Sequence, residues 1–191
     1  MEADPILKKI IGNNSLAPHE LRGNPFPSLA RAIIGQQLSV KAAQSIYNKV
    51  LLSFKSKVFP SPKKLLAMPK SKLRKAGLSN SKVEYLRNLA NFVISHAKEF
   101  RNLDKMSDQE IIDLLVQVKG VGVWTAEMFL MFCMGREDVF SYGDYGLKVA
   151  MRKIYRLRKI PSVKRAKQIS DKWKPYRTHA SLYLWQSLNN Q

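Results

Sequence analysis

Cysteine, histidine and acid are the scarce residues of this chain. Among 191 residues there is one cysteine, Cys133. A single thiol excludes an internal disulfide, a zinc site of several thiolates and an iron–sulfur cluster, and it suits an intracellular protein. The three histidines, His19, His96 and His179, lie far apart, with no metal-ligand spacing such as HExxH. No apolar run reaches the roughly 18 residues of a membrane span. The opening MEADPILKKIIGNN lacks the basic segment and apolar core of a secretory signal. Sustained period-two alternation is also missing, which argues against a sheet.

Acid is short against base. The chain carries 33 Lys and Arg against 14 Asp and Glu, a formal net charge of +19. Its 45% apolar content is enough to build a core, so it is not a disordered polycation. A folded chain of such charge implies a polyanionic partner, nucleic acid first and an anionic membrane surface second. The charge is uneven. Residues 148–177 hold twelve Lys and Arg and one acid, Asp171. A solvated helical face accounts for surface lysines but not for so strong a local bias. The segment LKVAMRKIYRL has an apolar face too short for membrane binding and better suited to core packing. The length fits one domain, or two small lobes sharing a cleft.

Helical signals fill the chain. In PSLARAIIGQQLSVKAAQSIYNKVLLSF the apolar residues Leu29 and Ile33, then Val40, Ala43, Ile46 and Val50, recur at helical spacing, with a break at Gly35 and Ser39. Pro60 and Pro62 around Ser61 mark a loop and a helix start. A capping box of Ser81 with Glu84 is predicted to open a helix through Val83, Leu86, Leu89 and Val93. A second box, Ser107 with Glu110, opens one through Ile111, Leu114 and Leu115 to about Gln117. At typical helix lengths this predicts an all-α chain of roughly nine or ten helices.

The most informative stretch is residues 108–132, DQEIIDLLVQVKGVGVWTAEMFLMF. A capped helix is followed by Gly120-Val121-Gly122, and a second helix starts near Val123. Two glycines one residue apart allow a sharp turn and close approach to another group. The first N–H groups of the second helix, at its positive end, form an anion site suited to a DNA phosphate. A plain αα-hairpin turn is the simpler alternative, and the chain's charge favours phosphate.

At this point the sequence resembles the helix–hairpin–helix DNA glycosylase superfamily, in its 3-methyladenine DNA glycosylase II (alkylpurine glycosylase) branch. The resemblance rests on LVQVKGVGVWTAEMFLMF and the following EDVFSYGDYGLKVAMRKIYRL, with RAIIGQQLSVKAA, GLSNSKVEYLRNLA and WKPYRTHASLYLWQSL in the family's order, and covers about residues 25–188. It implies an all-α, two-lobed helix–hairpin–helix core with a cleft between the lobes, one catalytic domain over 1–191 and a hairpin at about 108–132. It also implies Asp144 as the catalytic carboxylate. As a residue type, Asp144 equally suits an N-cap for the helix that follows, and the two roles are compatible. Asp138 is the nearest rival and reads as a structural hydrogen-bonding group.

Trp124 and Trp185 match base-pocket positions of the family; core packing is the commoner fate of tryptophan. Met128 stands where the best-known bacterial member has a third aromatic, and Tyr142 is a further pocket candidate. Gln37 matches the residue that fills the gap left by a flipped base, Leu38 the neighbouring wedge, and Ser39 faces the minor groove; Gln36 reads as structural. Gly120, Gly122, Lys119, Thr125, Lys148 and Arg177 are the expected phosphate contacts. The carbonyls of Val116, Val118 and Val121 are implied ligands of a sodium or potassium ion. Trp124 occupies the position of the Schiff-base lysine of strand-cleaving members, so the resemblance implies a monofunctional enzyme.

The function implied is base excision repair: hydrolysis of the N-glycosidic bond of alkylated purines, chiefly 3-methyladenine, in duplex DNA after base flipping. No cofactor is required and no iron–sulfur cluster is expected. Duplex DNA with alkylated bases is the implied partner. A monomer is expected, with no membrane association, located inside the cell on DNA. The alternatives are a glycosylase for another damaged purine, such as ethenoadenine, hypoxanthine or 7-methylguanine, and a helix–hairpin–helix DNA-binding module without chemistry.

Overall fold

A computed structural model describes residues 4–12 and 23–189; His19 lies outside them. Among the described residues there are twelve α-helices and two short 3-10 helices, at Leu103–Lys105 and Asp171–Trp173, and no strand. The α-helices are α1 (Pro5–Gly12), α2 (Pro25–Gly35), α3 (Val40–Ser53), α4 (Pro62–Ala67), α5 (Lys70–Lys75), α6 (Asn80–Ser95), α7 (Ala97–Phe100), α8 (Asp108–Leu115), α9 (Val123–Phe132), α10 (Tyr145–Ile154), α11 (Val163–Ser170) and α12 (Arg177–Asn189). The number exceeds the nine or ten expected because α4, α5 and α7 are only six, six and four residues long. None of the described helices is long and apolar enough to cross a membrane.

The helix starts are set by side-chain caps. Ser39, Ser61, Ser79, Ser107, Asp144 and Ser162 each accept a hydrogen bond from the amide three residues on, which satisfies a donor that the helix itself cannot. The capping box at Ser107 is present in both directions, with Glu110 accepting the Ser107 N–H at 2.7 Å. The box predicted at Ser81 is not. α6 begins two residues earlier, where Ser79 accepts the Lys82 amide at 3.2 Å, and Glu84 pairs with Lys70 instead. The physical reason is local. Gly77 turns the chain at φ 98°, the turn completes at once, and Ser79 is the first capping residue it meets. α8 stops at Leu115, two residues short of the expected Gln117, where the chain bends into the hairpin turn.

The chain divides into two compact units. The first joins the described N-terminal residues to Leu130 and beyond. Its core contains Leu7, Phe140, Leu147, Met151, Ile169, Leu184 and the fully buried Trp173. Asp4 is buried at its edge and acts as a hub. Its carboxylate accepts from the amides of Ile6 and Leu7, the Tyr155 hydroxyl at 2.7 Å and the Trp173 indole at 3.1 Å. Burial raises the Asp4 pKa, but the four donors outweigh it and hold the carboxyl below its ordinary value. Burial and the neighbouring carboxylate push the Tyr155 phenol upward.

The second unit runs to Phe129. There α2, α4 and α5 pack on α6, with Leu29, Ile33, Leu65, Leu73, Leu86 and Leu89 fully buried. Phe59 stacks on Tyr47 and meets Phe26 edge-on, and Arg31 lies over the Tyr47 ring. One apolar residue departs from the predicted face: Val40, expected among the buried repeat of α3, is 87% exposed in its first turn.

Candidate active site and nucleic-acid interface

The hairpin turn joins α8 to α9 in the second unit. It closes on itself through the Val121 amide, which donates to the Val118 carbonyl at 2.9 Å. Gly120 has φ 103°, and a Cβ there would stand 2.2 Å from Cγ of Tyr85, so only glycine fits this seat. Gly122 is different, because a Cβ would meet nothing within 4 Å. Its bareness serves no internal packing and leaves the backbone approachable from outside. The first turn of α9 follows, with Ala126 N–H donating to the Gly122 carbonyl at 3.0 Å. The amides of Val123, Trp124 and Thr125 thus sit at the positive end of the helix.

Beside the turn, Lys119 is exposed, and Trp124 is 44% exposed. Thr125 is buried to 3%, so its expected phosphate contact can come from its backbone N–H and not from its hydroxyl. Met128 is buried in the body of α9. The turn's carbonyls are the neutral oxygen ligands that a hard monovalent cation takes. Val118 O already accepts one amide and keeps a second lone pair, so the donor chemistry fits such an ion.

The turn between α2 and α3 belongs to the same unit. Gln37 lies in the left-handed region at φ 56°, unusual for a residue with a side chain. Leu38 N–H closes the turn on the Gly35 carbonyl at 3.1 Å, and Ser39 is the cap of α3. Gln37, Leu38, Ser39 and Val40 are all exposed, which places two apolar side chains at the surface in succession with polar ones.

In the first unit, Asp144 caps α10. Its Oδ1 accepts the Leu147 amide at 2.7 Å and the Trp185 indole N–H at 3.2 Å. The Trp185 ring stacks on Phe132 at 6.1 Å. Gly146 lies beneath this pair: a Cβ there would be 3.1 Å from Asp144 Oδ1 and 3.5 Å from Trp185 Nε1. Asp144, Trp185, Phe132 and Gly146 therefore form one carboxylate–indole cluster.

The family model for HhH-GPD superfamily base excision DNA repair protein matches residues 30–175. The chain belongs to this superfamily. Its branch is that of the 3-methyladenine DNA glycosylases. The chain is 33% identical to DNA-3-methyladenine glycosylase 1 of Schizosaccharomyces pombe over 95% of its own length and 80% of that protein's. The crystal structure of a DNA-3-methyladenine glycosidase from Bacillus halodurans superposes with a TM-score of 0.86 at 36% identity, covering 97% of this chain and 85% of that one. A Schizosaccharomyces pombe 3-methyladenine DNA glycosylase in complex with abasic DNA superposes with a TM-score of 0.84 at 32% identity, covering 99% and 97%.

Two residues expected at this HhH-GPD site have their polar groups committed elsewhere. Arg177, expected on a phosphate, grips Asp138 instead, with Nε at 2.7 Å from Oδ1 and Nη2 at 3.0 Å from Oδ2. Burial lowers the guanidinium pKa, yet Asp138 and Tyr142 raise it overall. The Arg177 fork is a strut that ties the start of α12 to the loop carrying Asp138. Tyr142, a pocket candidate, is tied down by the same network: its hydroxyl bonds to Ser170 at 3.0 Å and receives Arg177 Nη1 at 3.3 Å, while its ring packs on Phe140. Lys148 lies half-buried in the first turn of α10. Sequence reasoning missed Phe132, Gly146 and Tyr85. Only Gly146, two residues past an N-cap aspartate, carried any signal, because a glycine in a first helical turn needs a reason.

Proposed function

We propose that the chain is a monofunctional DNA glycosylase that hydrolyses the N-glycosidic bond of alkylated purines, chiefly 3-methyladenine, in duplex DNA after the base has been flipped. The observation that carries this reading is the Asp144 carboxylate, fixed by a helix amide and by the Trp185 indole. Breaking the bond leaves positive charge on the deoxyribose. A preorganised carboxylate stabilises that charge without reorganising at the moment of reaction. Water adds to C1′ and loses a proton, while the bond's electron pair leaves with the base. A purine alkylated at N3 is already cationic and departs neutral, so no strong general acid is needed.

The indoles of Trp124 and Trp185 favour a cationic ring; such contacts are worth about 0.5–2 kcal/mol each. The amides of Gly120 and of Gly122 to Thr125, with Lys119 and Lys148, hold the DNA backbone. The carbonyls of Val116, Val118 and Val121 would hold a sodium or potassium ion that adds positive charge near the phosphate. Gln37 and Leu38 fill the space left by the flipped base, and Ser39 faces the minor groove. Trp124 offers no amine for a Schiff base, so strand cleavage is not part of the reaction. The 191 residues act as one catalytic domain and as a monomer, with damaged duplex DNA as the partner.

The test is release of 3-methyladenine from methylated duplex DNA by wild type and Asp144→Asn, with DNA binding measured in parallel. Asparagine is as good a cap as aspartate, so the fold and binding are expected to persist. Release is expected to fall by about 10² to 10³, the cost of removing a preorganised electrostatic group. Wild-type release of ethenoadenine, hypoxanthine or 7-methylguanine in place of 3-methyladenine would reassign the substrate. Binding without release of any damaged base would leave a DNA-binding module.

A further inference from the structure

The turn carrying Gln37 and Leu38 is tied to the hairpin by one side chain. Gln36 Nε2 donates to the Gly120 carbonyl at 2.9 Å, across 84 positions of sequence. The backbone of the same residue is gripped from the other side, where Lys82 Nζ donates to the carbonyls of Ile34 and Gln36 at 2.7 and 2.8 Å. Burial lowers the Lys82 pKa. Gly120 in turn sits against the Tyr85 ring, so the acceptor of the Gln36 bond is itself immobile.

Neither turn needs Gln36 for its own closure. The hairpin closes through Val121 N–H on Val118 O, and the α2–α3 turn through Leu38 N–H on Gly35 O. The side-chain bond fixes only the position of one turn relative to the other. We infer that Gln36 is a positioning residue: its amide couples the hairpin that grips the DNA backbone to the turn that enters the duplex, so that phosphate binding and insertion occur in fixed register. This rests on the glycosylase reading above. Without the tether, the position of the turn relative to the hairpin would be fixed only when DNA binds, at the expense of insertion. The left-handed Gln37 lies next to the tether, where a constrained conformation persists only if its surroundings hold it.

The test uses Gln36→Met, which keeps an unbranched side chain and removes the donor. The probe is a duplex with 2-aminopurine beside an abasic site, whose fluorescence reports insertion of a side chain into the stack. Loss of one neutral hydrogen bond is expected to reduce insertion roughly five- to tenfold. Affinity for undamaged duplex is expected to stay at the wild-type value and the melting temperature to fall by no more than one hydrogen bond accounts for, whereas a merely structural role would lower the melting temperature and leave insertion by the folded protein unchanged. In a double-mutant cycle, Leu38→Ala is expected to abolish most of the signal, and Gln36→Met is expected to add nothing on that background.

An unchanged insertion signal in Gln36→Met, or full additivity with Leu38→Ala, overturns the inference. If Gln36→Met does not fold, wild type decides by NMR: slow exchange of the Gln36 side-chain amide, retained on titration with the abasic duplex, supports the tether, and fast exchange overturns it. A wild type whose insertion depends on Gln36 yet which releases no damaged base refutes the proposed reaction and leaves the coupling standing.

Discussion

Gly120 and Gly122 look alike in the sequence and are constrained by different things. Gly120 is fixed from within, by φ 103° and by the Tyr85 ring 2.2 Å from where a Cβ would stand. Gly122 has open space around it and is constrained only if something outside approaches. Gly120→Ala is therefore expected to lower stability by at least about 3 kcal/mol, the sum of a left-handed backbone penalty and a clash with an aromatic ring. Adding Tyr85→Ala should return the part due to the clash and leave the backbone part. Thermal melts of the two single variants and the double variant check this; simple additivity would disprove it. Both glycines were legible, because a Gly-x-Gly between two amphipathic helices has few other uses. Their separate reasons were not, since Tyr85 is 35 positions from Gly120 in sequence and nothing local links them. The same holds for the indole of Trp185, whose hydrogen bond to Asp144 spans 41 positions. A cap was readable at Asp144, but not its second donor.

At the scale of elements, the caps decide where helices begin, and overlapping signals are where a sequence misleads. Ser79 and Ser81 both precede the apolar face of α6, and Ser81 has the better-looking partner in Glu84. The chain uses Ser79, because starting earlier adds two residues to the helix and frees Glu84 for Lys70. Ser79→Ala is expected to cost about 1 kcal/mol, as a lost N-cap does. Ser81→Ala, at an exposed position of the first turn, should stay within about 0.5 kcal/mol. Urea unfolding of the two variants separates them, and a larger loss in Ser81→Ala would contradict the assigned start. The long helices were readable because burial follows their apolar repeat, as at Leu86 and Leu89. Val40 broke that pattern. It is apolar and in register, yet it lies at the start of α3 beside the exposed Leu38, where the surface faces outward. An apolar residue that fits a buried repeat but sits on a proposed DNA-facing turn cannot be told from core by periodicity alone.

For the whole molecule, the charge of +19 works in two directions. It draws the chain to a polyanion, and it burdens the compact state with self-repulsion that grows as carboxylates are protonated. Buried acids that resist protonation matter more in such a molecule than in a neutral one. Asp4 is the clearest case, joining α1 to Tyr155 and Trp173. Its folded pKa lies below 3.8, so the folded state binds this proton less readily than the unfolded chain. The linkage follows in sign: the Asp4 contribution is fully present above the unfolded value and is lost as pH falls through the folded one. Asp4→Asn keeps an oxygen for the helix amides but puts an NH2 where Oδ2 accepts from both the Tyr155 hydroxyl and the Trp173 indole; the hydroxyl can turn to accept, the indole N–H cannot. At neutral pH the variant is expected to be less stable by about 2 kcal/mol, the worth of a hydrogen bond to a charged group. Below about pH 4, near the carboxyl's reference value, the gap between the two proteins should close. Urea unfolding of both from pH 7 to pH 3 measures it. A gap that stays constant would mean that Asp4 holds the unit together by shape and not by charge.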